Sequence, residues 1–450
     1  MSGAFATNNA MKPLTFIHTS DLQLGMTRKF LPPEAQSRFD DARLRAVHRL
    51  GELATERGAE FIVVAGDVFE HNALEKRTLG RALEVLDNLP VPVYLLPGNH
   101  DPLVADSIFS RTHDLAGVTM LDSTDVVEVR EGVEIVGAPL KAKYASEDLC
   151  AAALAPLAPT EALRVLVGHG QTQSRTGEVA PDTIDLDNLE TKLADGTIDY
   201  VALGDTHSTR SLGDSGSVWY SGSPETTDFH DLTPGVAGGE VDSGNALVVQ
   251  LSKGHADVEK VPVGAWVFHA LHFEVGGGVD VDKLLAQLRA YPDKERTVIK
   301  YAIVGTLGLE DTRRLEEGLA ELEPVFASLR ERTRLMDLHL EPGADELANL
   351  MLLHGDNEAG KSTVLDAIDA VLNFKHSTSD SRVKVLAPAG KDVGPEITLR
   401  ATVGPYTFSV RKVFLRKKRS ELTITAPKRE QFTGREADDK LEAILDEHLD

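Results

Sequence analysis

Five short apolar stretches of this chain each end in polar side chains of the kinds that hold metal ions or phosphates. Residues 14–19 lead to Ser20, Asp21 and Gln23, and residues 61–66 lead to Asp67. Residues 93–96 run through Pro97-Gly98 to Asn99, His100 and Asp101. Residues 164–168 deliver His169, and residues 200–204 deliver Asp205 and His207. In a parallel sheet the carboxyl ends of the strands share one edge, so these side chains are expected to converge there. Such a cluster suits phosphodiester hydrolysis, which needs an activated water and stabilised charge on the phosphate oxygens. Two metal ions about 3.5–4 Å apart, joined by a carboxylate, supply both.

The elements between these stretches fit that placement. A helix over 34–57 stopped by Gly58, a strand over 60–65, a helix over 74–88 and a strand over 93–96 give the β-α-β-α-β rhythm of parallel strands with crossover helices. Alternating strands at 125–130 and 132–137 form a hairpin, and a helix over 146–157 returns the chain to the strand at 164–168. Residues 226–245, rich in Gly and Asp, are expected as a surface loop before strands at 246–252 and 255–263. His113 and His230 read as surface histidines, and His71 and Asn72 as candidates to line the cleft. From about residue 265 a smaller unit follows: strand 266–275, helix 280–290, strand 296–306 and a long charged helix over 311–331.

The ordered set Asp-x-Gln (21–23), Gly-Asp (66–67), Gly-Asn-His-Asp (98–101), Gly-His (168–169) and Gly-x-x-His (204–207) resembles the calcineurin-like metallophosphoesterases. The stretches His18 to Gly25 and Tyr200 to His207 look like the DNA-repair nuclease subfamily of the bacterial SbcD type, across residues 14–342. The resemblance implies an α/β (α+β) fold: a two-sheet β-sandwich flanked by helices at 1–262, then a small α/β capping domain at 263–345 that holds DNA. It implies that Asp67 bridges two ions, with Asp21, Gln23 and His207 on the first and Asn99, His169 and Asp205 on the second. His100 is then the acid or phosphate-stabilising residue, and Asp101 orients it by a hydrogen bond. The family usually has His where Gln23 and Asp205 stand, and a more oxygen-rich site favours Mn²⁺ over Zn²⁺. The implied activity is a Mn²⁺-dependent DNA exonuclease or endonuclease of DNA repair, working as a homodimer with an SbcC-type ATPase subunit. Two other readings share these motifs: a small nucleotide phosphodiesterase of the same fold, and a non-catalytic nucleotide- and DNA-binding repair subunit.

A second motif lies further on. An apolar strand at 350–354 is followed by Gly355-Asp356-Asn357-Glu358-Ala359-Gly360-Lys361-Ser362 and a helix to 372, the full G-x-x-x-x-G-K-[ST] pattern in its strand–loop–helix setting. Backbone N–H groups and the helix N-terminus would cradle the phosphates of ATP, with Lys361 on the β/γ-phosphates and Ser362 on Mg²⁺. Gly355, Asn357, Gly360, Lys361, Ser362 and Thr363 are the nucleotide-binding candidates. The wording from Asn357 to Thr363 resembles the SbcC-type ATPases. Residues 346–450 are therefore expected to be an N-terminal fragment of a P-loop ATPase domain, fused to the nuclease. With no Walker B strand in that fragment, hydrolysis by it alone is not expected. Arg416, Lys417, Lys418 and Arg419, with Arg411, Lys412, Lys428 and Arg429 nearby, form the candidate DNA-phosphate patch.

Elsewhere the chain repels nucleic acid. Its 47 Lys and Arg stand against 71 Asp and Glu, a formal charge of −24, so any DNA contact must be local. The single cysteine, Cys150, excludes a disulfide framework and a cysteine zinc site, and fits a reducing compartment. Residues 1–10 lack a signal-peptide pattern, and no apolar run reaches membrane-span length, so a cytoplasmic protein with no membrane partner is expected. With 42% hydrophobic residues, 450 residues can build two to four domains with real cores.

Overall fold

The computed structural model describes residues 13–112, 114–172, 180–236, 238–341, 361–387 and 393–448. It divides into two compact units, Met1–Gly343 and Ala344–Asp450. Helices mix with three sheets in the first and with one sheet in the second, and the fold class is α/β.

The first unit opens with the alternation read from the sequence: β1 (Leu14–Thr19), α1 (Pro33–Arg57), β2 (Ile62–Val64), α2 (Lys76–Asp87), β3 (Val93–Leu95) and β4 (Val118–Met120). A hairpin of β5 (Val126–Arg130) and β6 (Val133–Ala138) leads to α3 (Leu149–Leu154), β7 (Leu163–His169), α4 (Leu186–Ala194) and β8 (Tyr200–Gly204). Then come β9 (Arg210–Leu212), β10 (Val218–Tyr220), β11 (His230–Asp231), β12 (Asn245–Ser252) and β13 (His255–Pro262). One sheet has the order β13-β12-β1-β2-β3-β4 and a second β5-β6-β7-β8-β10-β9. The five ligand-bearing strand ends therefore do not share one edge. β1, β2 and β3 run parallel in the first sheet, whereas β7 and β8 run parallel in the second.

The central strands of both sheets are buried on both faces, which is why they read as continuous apolar runs. Phe61, Val63 and Ala65 join Phe16, Ile135, Val165 and Tyr200 between the sheets, while Ile62 and Val64 meet Leu50, Leu53 and Leu86 under the helices. Phe16 stacks on Phe61 at 5.1 Å and meets the edge of Tyr200 at 5.5 Å. Each such buried aromatic contributes roughly 1.5–3 kcal/mol.

The unit continues with β14 (Val267–Val275), α5 (Gly278–Arg289), β15 (Thr297–Leu307), α6 (Leu309–Leu322), β16 (Ser328–Glu331) and β17 (Asp337–Leu340). The parallel sheet β11-β14-β15-β16 buries Leu271, Ile299 and Leu329 with Leu284, Leu288 and Leu315 of the helices. Its other face sets Phe268, Ala270 and Val298 against Phe39 of α1 and Phe229. Two expectations are corrected here. The charged helix expected over 311–331 stops at Leu322, because Pro324 cannot donate to a continuing helix, and residues 328–331 form β16. The surface loop expected at 226–245 instead contributes β11, and it buries Thr226, Thr227, Phe229 and Glu240.

In the second unit, α7 (Lys361–Asn373) and α8 (Ser381–Val385) precede an antiparallel sheet of β18 (Glu396–Val403), β19 (Tyr406–Val413), β20 (Arg419–Ala426) and β21 (Glu430–Thr433), closed by α9 (Arg435–His448). Its core joins Val371 to Phe408, Val410, Leu422, Leu441 and Ile444. The strand expected at 350–354 lies outside the described residues. Among the described residues, no helix is long and apolar enough to cross a membrane.

Candidate metal centre

The ligand candidates sit at or just beyond strand ends, and at several of them the backbone turns sharply. Asp21, Gln23, Asp67 and Asp205 all have positive φ, at 52°, 42°, 54° and 95°. Residues with a Cβ pay for that conformation, and strain of this kind clusters at functional sites. Only Leu415 and Lys417 share it among the other described non-glycine residues. The preceding glycines are spatially required. A Cβ on Gly66 would stand 2.1 Å from His169 Nδ1, and one on Gly98 would stand 2.2 Å from Asp67 Oδ1 and 2.4 Å from the Asp67 amide nitrogen.

The side chains converge where the two sheets' strand ends meet. Ligand atoms of Asp21, Asp67 and His169, all buried, lie within 4.8 Å of one another. His169 Nε2 is 3.5 Å from Asp67 Oδ1, 3.9 Å from Asp205 Oδ1 and 2.9 Å from Asn99 Oδ1. His207 Nε2 is 3.7 Å from Asp21 Oδ1 and 3.4 Å from Gln23 Nε2. Asp205 also donates its amide N–H to Asp21 at 3.3 Å. All seven ligand candidates thus fall in one cluster.

That cluster has the donor deficit a cation site requires. His169 Nδ1 donates to Ala65 O at 2.8 Å, so Nε2 is the ring nitrogen that faces Asn99 Oδ1 and the Asp67 carboxylate. Gln23 Oε1 and Asp205 Oδ2 are buried without a hydrogen-bond partner. The Asn99 amide would relieve part of the crowding if turned over, donating to both Asp67 oxygens at 3.2 and 3.1 Å. A divalent cation among these oxygens and imidazoles would satisfy all of them. The titration pattern agrees. Burial opposes charge on His169, yet the carboxylates of Asp67, Asp21 and Asp205 raise its pKa well above the ordinary value. Asp21 is shifted up by burial, and the two imidazoles oppose that shift. Carboxylates that stabilise a charged imidazole this strongly would also stabilise a metal cation.

His100 and Asp101 have separate jobs. His100 is partly exposed; its amide donates to Asp67 Oδ1 at 2.9 Å and its Nδ1 donates to Glu70 O at 3.0 Å. Asp101 does not hydrogen-bond His100, contrary to the role inferred from sequence. Fully buried, it accepts the N–H of Phe69 and of Gly98, both at 2.8 Å, and so ties the turn after β2 to the turn after β3. Its nearest donors are backbone amides, which adjacency in the sequence cannot reveal. Nor do His71 and Asn72 turn to the cleft: Asn72 is spent on Pro102 O and Ile108 N, and His71 accepts from Ala73 N. His230 is half-buried with its ring edge-on to His269 at 5.8 Å, and His113 lies outside the described residues.

Two residues of the centre escaped the sequence reading. Thr227 Oγ1 lies 2.6 Å from His207 Nδ1, and Glu240 lies just behind it, within a segment whose Gly and Asp content looked like loop. Beside them a cleft of about 520 Å³ is lined by Arg28, Asp205, His207, Thr227, Asp228 and Glu240. Lys300 and Arg330 stand paired across β15 and β16 near this cleft, over the ring of Phe229 at 3.9 and 5.8 Å. Burial lowers the pKa of Lys300, and the charge of Asp228 opposes that shift.

In the second unit Lys361 opens α7, and Ser362 and Thr363 are exposed in its first turn. Gly355, Asn357 and Gly360 lie outside the described residues. The basic cluster is largely occupied by its own surroundings. Lys412 is buried against Asp438 at 3.2 Å, Lys418 donates to Ser377 O and Thr378 O, and Arg419 meets Glu421 at 3.4 Å. Arg416 has a partner as well, and Lys417 sits on a left-handed turn.

Two family models match this chain. Residues 14–231 match the family model of calcineurin-like phosphoesterases, and residues 333–441 match that of an AAA domain. The chain thus carries a calcineurin-like metallophosphoesterase domain followed by an AAA domain. Among individual proteins, the uncharacterised Rv1278 of Mycobacterium tuberculosis is 39% identical over 101 residues, 22% of this chain and 12% of that protein. The DNA double-strand break repair protein Mre11 of Archaeoglobus fulgidus is 30% identical over 121 residues, 26% of this chain and 24% of that protein. The chain therefore aligns with a quarter or less of the length of these relatives. A solved dimetal phosphatase from Danio rerio aligns with 56% of this chain and all of its own at 11% identity and a TM-score of 0.33, too slight a likeness to argue from.

Proposed function

We propose that this chain is a metal-dependent phosphodiesterase that cleaves DNA in repair, with Mn²⁺ as its metal. The observation that carries the reading is the convergence of Asp21, Gln23, Asp67, Asn99, His169, Asp205 and His207 into one buried to half-buried cluster with orphaned acceptors. These residues would hold the ions, and a donor set dominated by oxygen favours Mn²⁺. Divalent ions bound there would supply Lewis-acid stabilisation of phosphate charge and an activated water. With its Nδ1 hydrogen committed to Glu70 O, His100 in its imidazolium form would carry a second hydrogen on Nε2, to pass to the leaving oxygen or to hold a phosphate oxygen.

A polynucleotide is favoured over a small ester by Lys300 and Arg330. Neither makes an ion pair among the described residues, and phosphates flanking the scissile one would meet cations there. The partial likeness to an Mre11 protein and the AAA domain point the same way. ATP binding at Gly355 to Thr363, pairing with an SbcC-type ATPase subunit and homodimer formation extend the same proposal. The test is cleavage of linear duplex DNA, single strands and a small chromogenic diester with Mn²⁺, by wild type and by Asp67→Asn. DNA cleavage lost in Asp67→Asn is expected. Cleavage of the small diester alone would overturn the DNA reading, and DNA binding without any cleavage would overturn the enzymatic one.

A further inference from the structure

The two ring nitrogens of His207 have different surroundings. Nε2 faces Asp21 and Gln23 in the cluster, whereas Nδ1 faces Thr227 Oγ1 at 2.6 Å. Behind Thr227 lies Glu240, buried, with both oxygens already accepting amide hydrogens. Oε1 takes the N–H of Thr227 and Oε2 the N–H of Asp228, each at 2.8 Å. The Thr227 hydroxyl reaches the same Oε2 at 2.5 Å.

The proton count then leaves one arrangement. A carboxylate with amide hydrogens on both oxygens only accepts, so the single hydroxyl proton of Thr227 goes to Glu240. Thr227 Oγ1 therefore has only lone pairs to offer His207, and His207 Nδ1 must carry the hydrogen. In the neutral ring Nε2 is then left with its lone pair directed at the cluster. His169 reaches the same state through a backbone carbonyl, Ala65 O. For His207 the device is made of side chains, held by the segment that the Glu240 contacts fold back onto Thr227 and Asp228.

We infer that Thr227 and Glu240 are positioning residues that fix His207 in its Nδ1–H tautomer and so make Nε2 a metal ligand. This rests on the proposed role of His207 in the metal centre. Outer partners of a ligating histidine set its tautomer and ring angle, and their loss costs about 10–100-fold in metal affinity.

The test is Mn²⁺ titration of the full chain by calorimetry, for wild type, Thr227→Val, Thr227→Ser and Glu240→Gln. Valine keeps the shape of threonine and lacks the hydroxyl, and serine keeps the hydroxyl. Thr227→Val is expected to weaken Mn²⁺ binding by about 10–100-fold in a chain that still unfolds cooperatively, and Thr227→Ser to restore it. In ¹⁵N-histidine spectra of the Zn²⁺-loaded chain, His207 is expected to carry hydrogen on Nδ1 in wild type. Wild-type affinity in Thr227→Val, or equal loss in Thr227→Ser, overturns the inference and leaves the metal centre standing. Absence of Mn²⁺ binding by wild type overturns the metal centre and the inference with it.

Discussion

Asp101 separates two accounts of the Gly-Asn-His-Asp turn. If it orients His100, removing it slows the reaction and leaves the fold intact. The structure instead gives its two oxygens to the amides of Phe69 and Gly98 in the buried space between two turns. Asp101→Ala strands both N–H groups, and an unsatisfied buried donor costs about 1–3 kcal/mol, so the pair costs about 2–6 kcal/mol. Some of this is returned, because burial and the neighbouring Asp67 carboxylate push the Asp101 pKa up to about 7 and make its ionised form unfavourable. Asp101→Asn retains one acceptor and removes the charge, so it should fall between wild type and Asp101→Ala. At about 2–4 °C per kcal/mol for a unit larger than 150 residues, Asp101→Ala should lower the first unit's melting temperature by about 5–15 °C. Differential scanning calorimetry on the metal-free chain reads this directly. A melting temperature within a degree of wild type, together with slowed turnover, would refute the clamp and restore the orienting role.

The remaining predictions concern other parts of the first unit. Gly98→Ala drives a Cβ into the Asp67 amide and carboxylate, so Mn²⁺ binding by calorimetry should be lost even where the chain still folds; wild-type affinity would contradict the close approach. His18 is fully buried beside the Tyr200 hydroxyl at 3.1 Å, and burial holds its pKa down to about 3. Below about pH 6.5 the unfolded chain takes up a proton that the folded chain refuses, so stability falls with pH by up to about 1.4 kcal/mol per unit until about pH 3. Urea unfolding of His18→Gln at pH 7, 6 and 5 should show a shallower decline than wild type, and parallel slopes would count against a buried neutral ring. Lys300→Glu with Arg330→Glu should weaken duplex DNA binding and reduce its log–log salt slope by about 0.9 per lost phosphate contact, while hydrolysis of a small diester is unchanged. An unchanged salt slope would remove these cations from the DNA path.

The convergence of the candidate ligands was legible because chemistry and local sequence coincide at them. Gly66, Gly98 and Gly204 precede their ligands for reasons of space that any chain making this turn must meet. The sandwich was harder to divide. Val165 and Val63 look alike in sequence although they belong to different sheets, because both strands are buried on two faces. What stayed hidden were partnerships across long separations between ordinary residues. Asp101 reaches the amide of Phe69, and Thr227 and Glu240 reach His207 from a segment whose glycines suggest only a loop. A carboxylate that accepts backbone N–H groups leaves no periodic trace. In the helix expected over 311–331, the charge pattern outweighed Pro324, and the breaker proved the better guide.

The candidate centre draws its side chains from the ends of β1, β2 and β3 on one sheet and β7 and β8 on the other, two layers otherwise joined by apolar side chains. An ion seated there would act as a rivet through the sandwich. Ions that bind the folded state alone at a hundred times their dissociation constant add about 2.7 kcal/mol. Chelation would then loosen one layer from the other, so the supply of metal would govern how long this unit persists as well as how fast it works.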